Sequence, residues 1–575
     1  MHPTNLVELL QSRAATEPLR PAYTFLAKGD EEQSTMSYGE VDMRARSIAA
    51  WLQAHAQPGD RVLLLFEPGL EYIASFFGCV MAGMMAVPAY PPRQHASRPD
   101  SRVENIVRDA GPSVILCSAA GPERRASCAS GELSRLPWQG VEDLSSELAC
   151  GWRPPQITPD AIAFLQYTSG STSAPRGVMV SHSNLIENQR MIQEACGHDA
   201  GSTFVGWLPL YHDMGLIGNV LQPLFIGARC ILMSPSAFAQ KPVRWLRAIS
   251  KFRAHTSGGP NFAYDHCVRR INVDDCEDLD LSSWTVAFNG AEPVRAETMD
   301  RFSETFAPLG FRRNAFTPCY GLAEATLIVS CKHRNASVTT APAPHDAEAD
   351  DRPRRSTVGC GPAVIDTEIA VVHVETGEPC AEGQTGEIWI HGSGVAQGYW
   401  NRAAESDELF RATMANGDGR TFLRTGDRGF MRAGELFVTG RLKDLIIIRG
   451  MNHHAEDIEW SVQQVVPAAR AVVAFATEVE GAEKLVVVIE LERSCRSGLS
   501  EIEPIVRRTV AEAHEVEVFG LLIVPLGVIP RTSSGKIQRR LCRRLYHDGE
   551  LETVTSAFAA EARSVATADI YSTVS

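Results

Sequence analysis

Residues 164–184 read FLQYTSGSTSAPRGVMVSHSN. Between two apolar runs, Tyr167 to Gly177 hold two glycines, a series of Ser and Thr hydroxyls and one cation, Arg176. Glycines let backbone N–H groups approach an anionic oxygen, hydroxyls add donors and the guanidinium adds charge. This is the chemistry of a loop that wraps phosphate. It lacks the Gly-Lys-[Ser/Thr] ending of a Walker loop. Composition alone also describes a surface linker, so the surrounding chain decides. The flanks, 161–165 and 178–180, read as short strands, and the loop therefore joins two strands rather than opening a helix. Ser183 or Asn184 is the expected cap of the helix that follows through Leu185 and Ile186.

Upstream, strands and helices alternate. Ser37 lies three residues before Glu40, the spacing of a capping box, and opens an amphipathic segment through Val41, Ala45, Ile48, Ala49 and Leu52. A buried strand at 61–66 follows, then a helix from Glu71, a strand at 86–88, a helix carrying Val103, Ile106 and Val107, and a strand at 114–117. Such alternation predicts a largely parallel sheet covered on both faces. Residues 121–158 are polar and read as surface, and further strands are expected at 230–233 and 285–288. The polar stretch 331–356 reads as a loop or mobile insertion.

After Leu436 the texture changes. Strands are expected at 445–448, 471–476, 485–490 and 521–525, with a helix over 501–513. These elements suffice for an α+β domain of about 120 residues. The expected fold is α/β: a large N-terminal domain of layered α/β sheets, 1–440, plus a small mobile α+β C-terminal domain, 441–575. The last twenty or so residues are small and polar, the composition of a frayed end.

Composition narrows the function. A net charge of -14 argues against a general nucleic-acid binder. Fourteen cysteines without a C-x-x-C spacing exclude the common zinc patterns and fit reduced thiols. No basic region followed by an apolar core opens the chain, so no signal peptide is expected and a cytoplasmic location is. The run 72–87, between Glu71 and Pro88, is uncharged and sixteen residues long. A membrane span takes roughly 20 apolar residues, so this run is read as a buried core helix and the chain as not membrane-spanning.

Further stretches complete a constellation: WLPLYHDMGL from Trp207, NGAEP from Asn289, YGLAEAT from Tyr320, GEI from Gly386, QGYW from Gln397, RTGD from Arg424, GRLKD from Gly440 and PRTSSGK from Pro530. In this order and spacing they resemble the adenylate-forming superfamily of acyl-CoA synthetases, adenylation domains and luciferases. The match spans about residues 35 to 540. VPAYPPR from Val87, YHDMGLIGNVLQPL from Tyr211 and LFVTGRLKDLIIIRGMNHH from Leu436 look most like fatty acyl-AMP ligases.

The resemblance implies a two-step reaction. ATP activates a fatty acid to an acyl-adenylate with loss of pyrophosphate, and the acyl group passes to the phosphopantetheine arm of an acyl carrier protein, usually for polyketide or lipopeptide assembly. Activation is needed because a carboxylate has no good leaving group; catalysis is positioning plus neutralisation of charge. By resemblance, Thr168, Ser169, Gly170, Ser171, Thr172 and Arg176 form the pyrophosphate clamp. Glu324 holds Mg²⁺, Tyr320 precedes it at the nucleotide, and Asn289, Gly290 and Ala291 border the adenine. Asp427 accepts from the ribose hydroxyls, Arg441 bonds ribose or phosphate, and Lys536 bridges the carboxylate and α-phosphate. His212 lies between the nucleotide and acyl sites, and Met214, Ile217 and Phe262 are candidates for the acyl pocket. Such a pocket gains about 0.8 kcal/mol per buried methylene. Lys443 marks the hinge about which the small domain turns between half reactions.

Each residue has a plainer reading. Glu324 could cap a helix, Asp427 could fix a turn, His212 and the acyl-pocket candidates could be core, and the run Arg531, Lys536, Arg539, Arg540 could be a solvated face. The ordered set lifts them above these readings. Three departures from the family pattern stand out: Ser173 in place of Gly, Arg176 in place of Lys, and Ala455 in place of Pro. The segment 327–358, where acyl-AMP ligases carry an insertion that hinders CoA use, is polar and short. A medium- or long-chain acyl-CoA ligase is therefore the alternative, and a non-catalytic nucleotide- or acyl-binding protein the rival from another class. No phosphopantetheine attachment motif occurs, so the carrier protein is expected on a separate chain.

Overall fold

The computed structural model describes residues 3–29, 31–91, 101–118, 131–168, 175–342, 356–415, 417–448, 451–479, 482–492, 499–532 and 535–554. The chain groups into two compact units: Met1–Ala341, Thr357–Thr425 and Gly429–Val438 in the first, and Pro342–Ser356, Gly426–Arg428 and Thr439–Ser575 in the second.

Two α/β sheets build the first unit. One has six strands in the spatial order Trp138–Gly140, Val114–Cys117, Arg61–Leu65, Met85–Ala89, Ile162–Thr168, Arg176–Ser181. Its strands run parallel except for the last pair, which is antiparallel. Side chains alternate across it. Val62 and Leu64 enter the main core, whereas Leu63 and Leu65 face a second core shared with the helix Ser101–Ala110. Pro88 sits inside this sheet without an N–H to donate. The ladder to Ile162–Thr168 closes at Ala86↔Phe164, before reaching it.

The other sheet has eight strands: Ile328–Cys331, Phe316–Gly321, Val286–Asn289, Thr256–Gly258, Thr203–Gly206, Arg229–Met233, Pro21–Ala27, Glu31–Ser37. It is parallel in the middle and antiparallel at both edges. The helix Leu70–Met81 touches strands of both sheets and is buried at every residue but Glu71. A Cβ on its Gly78 would meet Ile48 Cγ2 at 2.6 Å, so glycine sets how closely it packs on the helix Tyr38–His55. Among the described residues no helix is long and apolar enough to cross a membrane. Ser37 and Glu40 form the expected capping box, with Glu40 N–H donating to Ser37 Oγ at 3.3 Å and Ser37 N–H to Glu40 at 2.7 Å. A further four-stranded sheet runs Thr367–Val372, Gly386–Gly392, Leu423–Arg432, Glu435–Arg441.

In the second unit a three-stranded sheet, Ala469–Val479, Ala482–Leu491, Val518–Pro525, has cores on both faces. Val472, Ala474 and Ala476 pack with the helices Ala455–Val465 and Leu499–His514. Ala471, Val473 and Phe475 pack with Cys542 and Tyr546 of the helix Arg539–His547. Strands buried on both faces read as unbroken apolar runs, which is why they were legible.

One local expectation is corrected and another is refined. Ser181, not Ser183 or Asn184, caps the helix His182–Cys196, and Asn184 returns the bond as the third residue of the cap. The polar stretch 121–158 contributes the edge strand Trp138–Gly140. An edge strand needs only one apolar face and one partner, so its sequence carries little signal. Of the stretch 331–356, Thr340–Pro342 and Ser356–Val358 pair as a two-stranded sheet, while 343–355 lie outside the described residues, as do 555–575.

Candidate active site

Parallel strands of an α/β sheet present their carboxyl ends to ligands. Apart from the Ser/Thr/Gly loop, the predicted residues of the first unit lie at or beyond those ends in the eight-stranded sheet. His212, Met214 and Ile217 come after Thr203–Gly206, Phe262 after Thr256–Gly258, Asn289 ends Val286–Asn289, and Tyr320 and Glu324 lie at and beyond the end of Phe316–Gly321.

The Ser/Thr/Gly loop spans an antiparallel pair whose last register is Thr168↔Arg176. Ser169, Gly170, Ser171 and Thr172 lie outside the described residues. The feet of the loop are well held. Tyr167 donates to Asp109 Oδ2 at 2.7 Å, and Arg402 bonds both Asp109 at 3.2 Å and the Pro175 carbonyl at 3.3 Å. Arg176 belongs to the strand. Its Nη2 pairs with Glu405 Oε1 at 2.5 Å and its guanidinium lies 5.2 Å from the centroid of the Tyr399 ring.

Glu324 occupies the single 3₁₀ turn Ala323–Ala325, where it is not the cap; Leu322 holds that position. Its carbonyl accepts Ala396 N–H at 2.9 Å, and its Oε1 accepts the Tyr399 hydroxyl at 2.7 Å. It makes no ion pair among the described residues. A Cβ on Gly321 would overlap the Leu327 carbonyl, so only glycine permits the reversal that presents Glu324. The donor set fits Mg²⁺, a hard cation that takes one or two carboxylates and completes its shell with phosphate and water oxygens. No group of three His, Cys, Asp or Glu placed to hold a metal exists among the described residues.

Asn289 is fully buried and donates from Nδ2 to Asn261 Oδ1 at 3.0 Å. Asn261, missed in the sequence, donates in turn to the Pro293 carbonyl at 2.7 Å and accepts Arg295 N–H at 3.1 Å. Asn289 Oδ1 has no partner among the described residues. Gly290 passes so close to Cys319 that a Cβ would meet its Sγ at 2.9 Å, and Ala291 takes the left-handed φ of 69°. The backbone is thus drawn tight at the end of the strand. His212 Nδ1 lies 2.5 Å from Asp213 Oδ1. Met214 and Ile217 stand in the π-helix Met214–Leu221, a wide turn that recurs at functional sites. Ile217 is sealed in the core, whereas Met214 and Phe262 keep partial exposure, Phe262 edge-on to Trp207 at 5.8 Å.

In the second unit, Asp427 Oδ1 accepts Arg441 Nε at 3.0 Å. Lys443 is exposed in the 3₁₀ turn Leu442–Asp444. Lys536 closes a tight turn: Thr532 N–H donates to the Lys536 carbonyl at 2.7 Å, and Lys536 N–H to Thr532 Oγ1 at 3.0 Å. Gly535 supplies the φ of 85° that the turn requires. The buried Glu490 anchors the turn from below, accepting Arg531 Nη2 at 3.1 Å and Gly527 N–H at 2.9 Å. Within the basic run, Arg539 is not solvated. Arg539 is enclosed by Asp444, Glu456 at 3.4 Å and Glu459 at 3.0 Å.

A layered α/β body with candidate residues at the carboxyl edge, and an α+β unit bearing a lysine turn, is the construction of adenylate-forming enzymes. The family described as AMP-binding enzyme matches residues 10–400, and one described as Disco-interacting protein 2-like, AMP domain, matches 443–556. The chain is 43% identical over 573 residues to the medium-chain-fatty-acid--[acyl-carrier-protein] ligase JamA of Moorena producens, covering 96% of each. It is 35% identical to the long-chain-fatty-acid--AMP ligase FadD32 of Mycobacterium marinum, again covering 96% of each. Among solved structures, the fatty acyl-adenylate ligase from L. pneumophila in complex with acyl adenylate and pyrophosphate matches with a TM-score of 0.75 at 41% identity, over 96% of this chain and 97% of that one. The chain belongs to the AMP-binding enzyme family.

Proposed function

We propose that the chain is a fatty acyl-AMP ligase, an ATP-dependent acid ligase that activates a fatty acid and passes it to an acyl carrier protein on a separate chain. One observation carries the reading: His212, Asn289, Tyr320 and Glu324 all lie at or beyond the carboxyl ends of parallel strands in one sheet, the edge where such sheets take ligands.

In the first half reaction a carboxylate oxygen of the fatty acid attacks the α-phosphorus of ATP, and pyrophosphate leaves with the electrons of the broken P–O bond. Asn289 and the tight Gly290-Ala291 backbone border the adenine. Asp427 accepts from the ribose hydroxyls, with Arg441 beside it. Glu324 would hold Mg²⁺, which would supply charge neutralisation to the phosphates. Lys536, on its anchored turn, stabilises the charge that grows between carboxylate and α-phosphate. In the second half reaction the pantetheine thiol attacks the acyl carbonyl and AMP departs. Met214 and Phe262 line the acyl side. The described cysteines are all free, which fits a reducing cytoplasm.

Incubation with ATP, a panel of fatty acids and either CoA or a holo carrier protein, read by mass spectrometry, tests the reading. Acyl-carrier protein is the expected product. Acyl-CoA as the main product would turn the assignment to the acyl-CoA ligase, the alternative that the short polar segment 327–358 keeps open.

A further inference from the structure

Tyr399 has no role in the reaction as described so far, yet it touches the metal-binding carboxylate. It stands in the Gln397-Gly398-Tyr399-Trp400 motif, and its hydroxyl donates to Glu324 Oε1 at 2.7 Å. The ring is buried, edge-on to Phe410 at 5.1 Å, with Arg176 over it at 5.2 Å. Arg176 is itself held by Glu405 at 2.5 Å.

The backbone around Tyr399 is stitched to the strand that closes the Ser/Thr/Gly loop. Trp400 N–H donates to the Gly177 carbonyl at 2.8 Å, Gln397 N–H to the Met179 carbonyl at 3.0 Å, and Met179 N–H to the Gly398 carbonyl at 2.9 Å. Tyr399 N–H reaches Ser406 Oγ at 2.8 Å, which ties it to the helix Ala403–Phe410 that carries Glu405. A phenol is protonated at neutral pH and donates through its O–H. One carboxylate oxygen of Glu324 is thereby fixed, and rotation of the carboxylate is arrested.

We propose that Tyr399 is the positioning residue for the metal-binding carboxylate: its hydroxyl holds one oxygen of Glu324 so that the other is presented to Mg²⁺·ATP, and Arg176 locked by Glu405 holds the ring. The inference rests on the proposed function, in which Glu324 is the metal ligand. It also gives Arg176 a physical reason. A planar guanidinium stacks on the ring while it reaches Glu405; a lysine ammonium cannot do both with the same atoms. The foot of the phosphate loop and the metal carboxylate are joined through one side chain.

The test uses the full-length protein with Mn²⁺ in place of Mg²⁺ and α,β-methylene-ATP, whose α–β linkage resists cleavage; free Mn²⁺ is read by electron paramagnetic resonance. Tyr399→Phe keeps the ring and nearly its volume, and removes the hydroxyl that donates to Glu324. Loss of a hydrogen bond to a charged group predicts about tenfold weaker nucleotide-dependent Mn²⁺ binding. In ATP–pyrophosphate exchange the half-saturating Mg²⁺ concentration rises with it, while KM for the fatty acid holds. Arg176→Lys and Glu405→Gln weaken Mn²⁺ binding in the same direction and carry the test if Tyr399→Phe folds poorly by thermal denaturation. Wild-type Mn²⁺ affinity in folded Tyr399→Phe overturns the positioning role alone. Wild-type affinity in Glu324→Gln, or a wild-type protein without fatty-acid-dependent exchange, overturns the functional reading and the positioning role with it.

Discussion

Arg539 and Glu459 face each other at 3.0 Å inside the second unit, and Asp444 and Glu456 share the same guanidinium. Three acids meet one cation. Burial pushes the Glu459 carboxyl up to about 7, with Arg539 opposing the shift and Glu456 adding to it. The folded unit thus keeps a proton that the unfolded chain gives up near 4.5. The stability this provides is complete below that value and is lost as pH rises through about 7. Glu459→Gln cannot ionise, so its stability relative to wild type should improve from pH 5 to pH 8. Hydrogen exchange in Ala469–Val479 reads this directly, because Glu459 accepts Ala474 N–H there at 2.9 Å. Parallel pH slopes in the two proteins would dismiss the cluster as the source.

The first unit should respond to pH with the opposite sign. His182, His198 and His255 are pushed down to about 4, 3 and 4, chiefly by burial. His182 Nδ1 accepts Leu6 N–H at 3.2 Å, which requires the neutral ring. A depressed folded pKa gives stability that is complete above 6.5 and lost as pH falls. Exchange in Leu6–Thr16 should accelerate between pH 7 and pH 5, after correction for the intrinsic rate, and His182→Gln should flatten that dependence. A slope unchanged in the variant would remove His182 from the account.

How far the chain was legible follows from the range of each interaction. The Ser37–Glu40 box spans three residues and was visible in the sequence. The helix Leu70–Met81 announced itself as an unbroken apolar run. Arg539 sits in a run of arginines, and the acids that enclose it lie 80 to 95 residues away, so the run looked solvated. Tyr399 touches Glu324 across 75 residues, and Asn261 touches Asn289 across 28. Hydrophobic periodicity says nothing about such pairs. The family motifs name candidate residues, but not which side chains hold them in place.

Gly177 is fixed by the aromatic ring across from it. A Cβ there would meet Tyr167 Cζ at 2.9 Å, and Asp109 holds that ring through its hydroxyl at 2.7 Å. Gly177→Ala must therefore displace Tyr167, and overpacking of this kind costs about 1–3 kcal/mol. The displaced ring carries one foot of the Ser/Thr/Gly loop. KM for ATP should rise while KM for the fatty acid holds, measured by pyrophosphate exchange. A rise confined to the fatty acid would detach this loop from the nucleotide.

Asp427→Asn separates a binding role from a structural one. Its partner Arg441 has a side chain 61% exposed, and exposed pairs contribute about 0–1 kcal/mol. The thermal midpoint should barely move. If Asp427 accepts from the ribose, the loss of a charged acceptor predicts about a tenfold fall in kcat/KM for ATP. A lowered midpoint with unchanged ATP kinetics would make the pair structural.

Lys443→Pro addresses the passage from one half reaction to the next. Lys443 is exposed in the turn Leu442–Asp444, which closes with Leu445 N–H on the Leu442 carbonyl. Proline at 443 fixes its own φ near -65° and drives Leu442 out of the helical region. The turn then holds fewer backbone states, and a rotation that passes through this residue is blocked. Asp444, the next residue, stays paired with Arg539, three positions beyond Lys536, so the lysine turn itself is undisturbed. Acyl-adenylate formation should stay near wild type in the exchange assay. Transfer to the carrier protein should fall on the order of tenfold or more, as expected for a blocked hinge. Equal loss of both half reactions would count against Lys443 as a hinge.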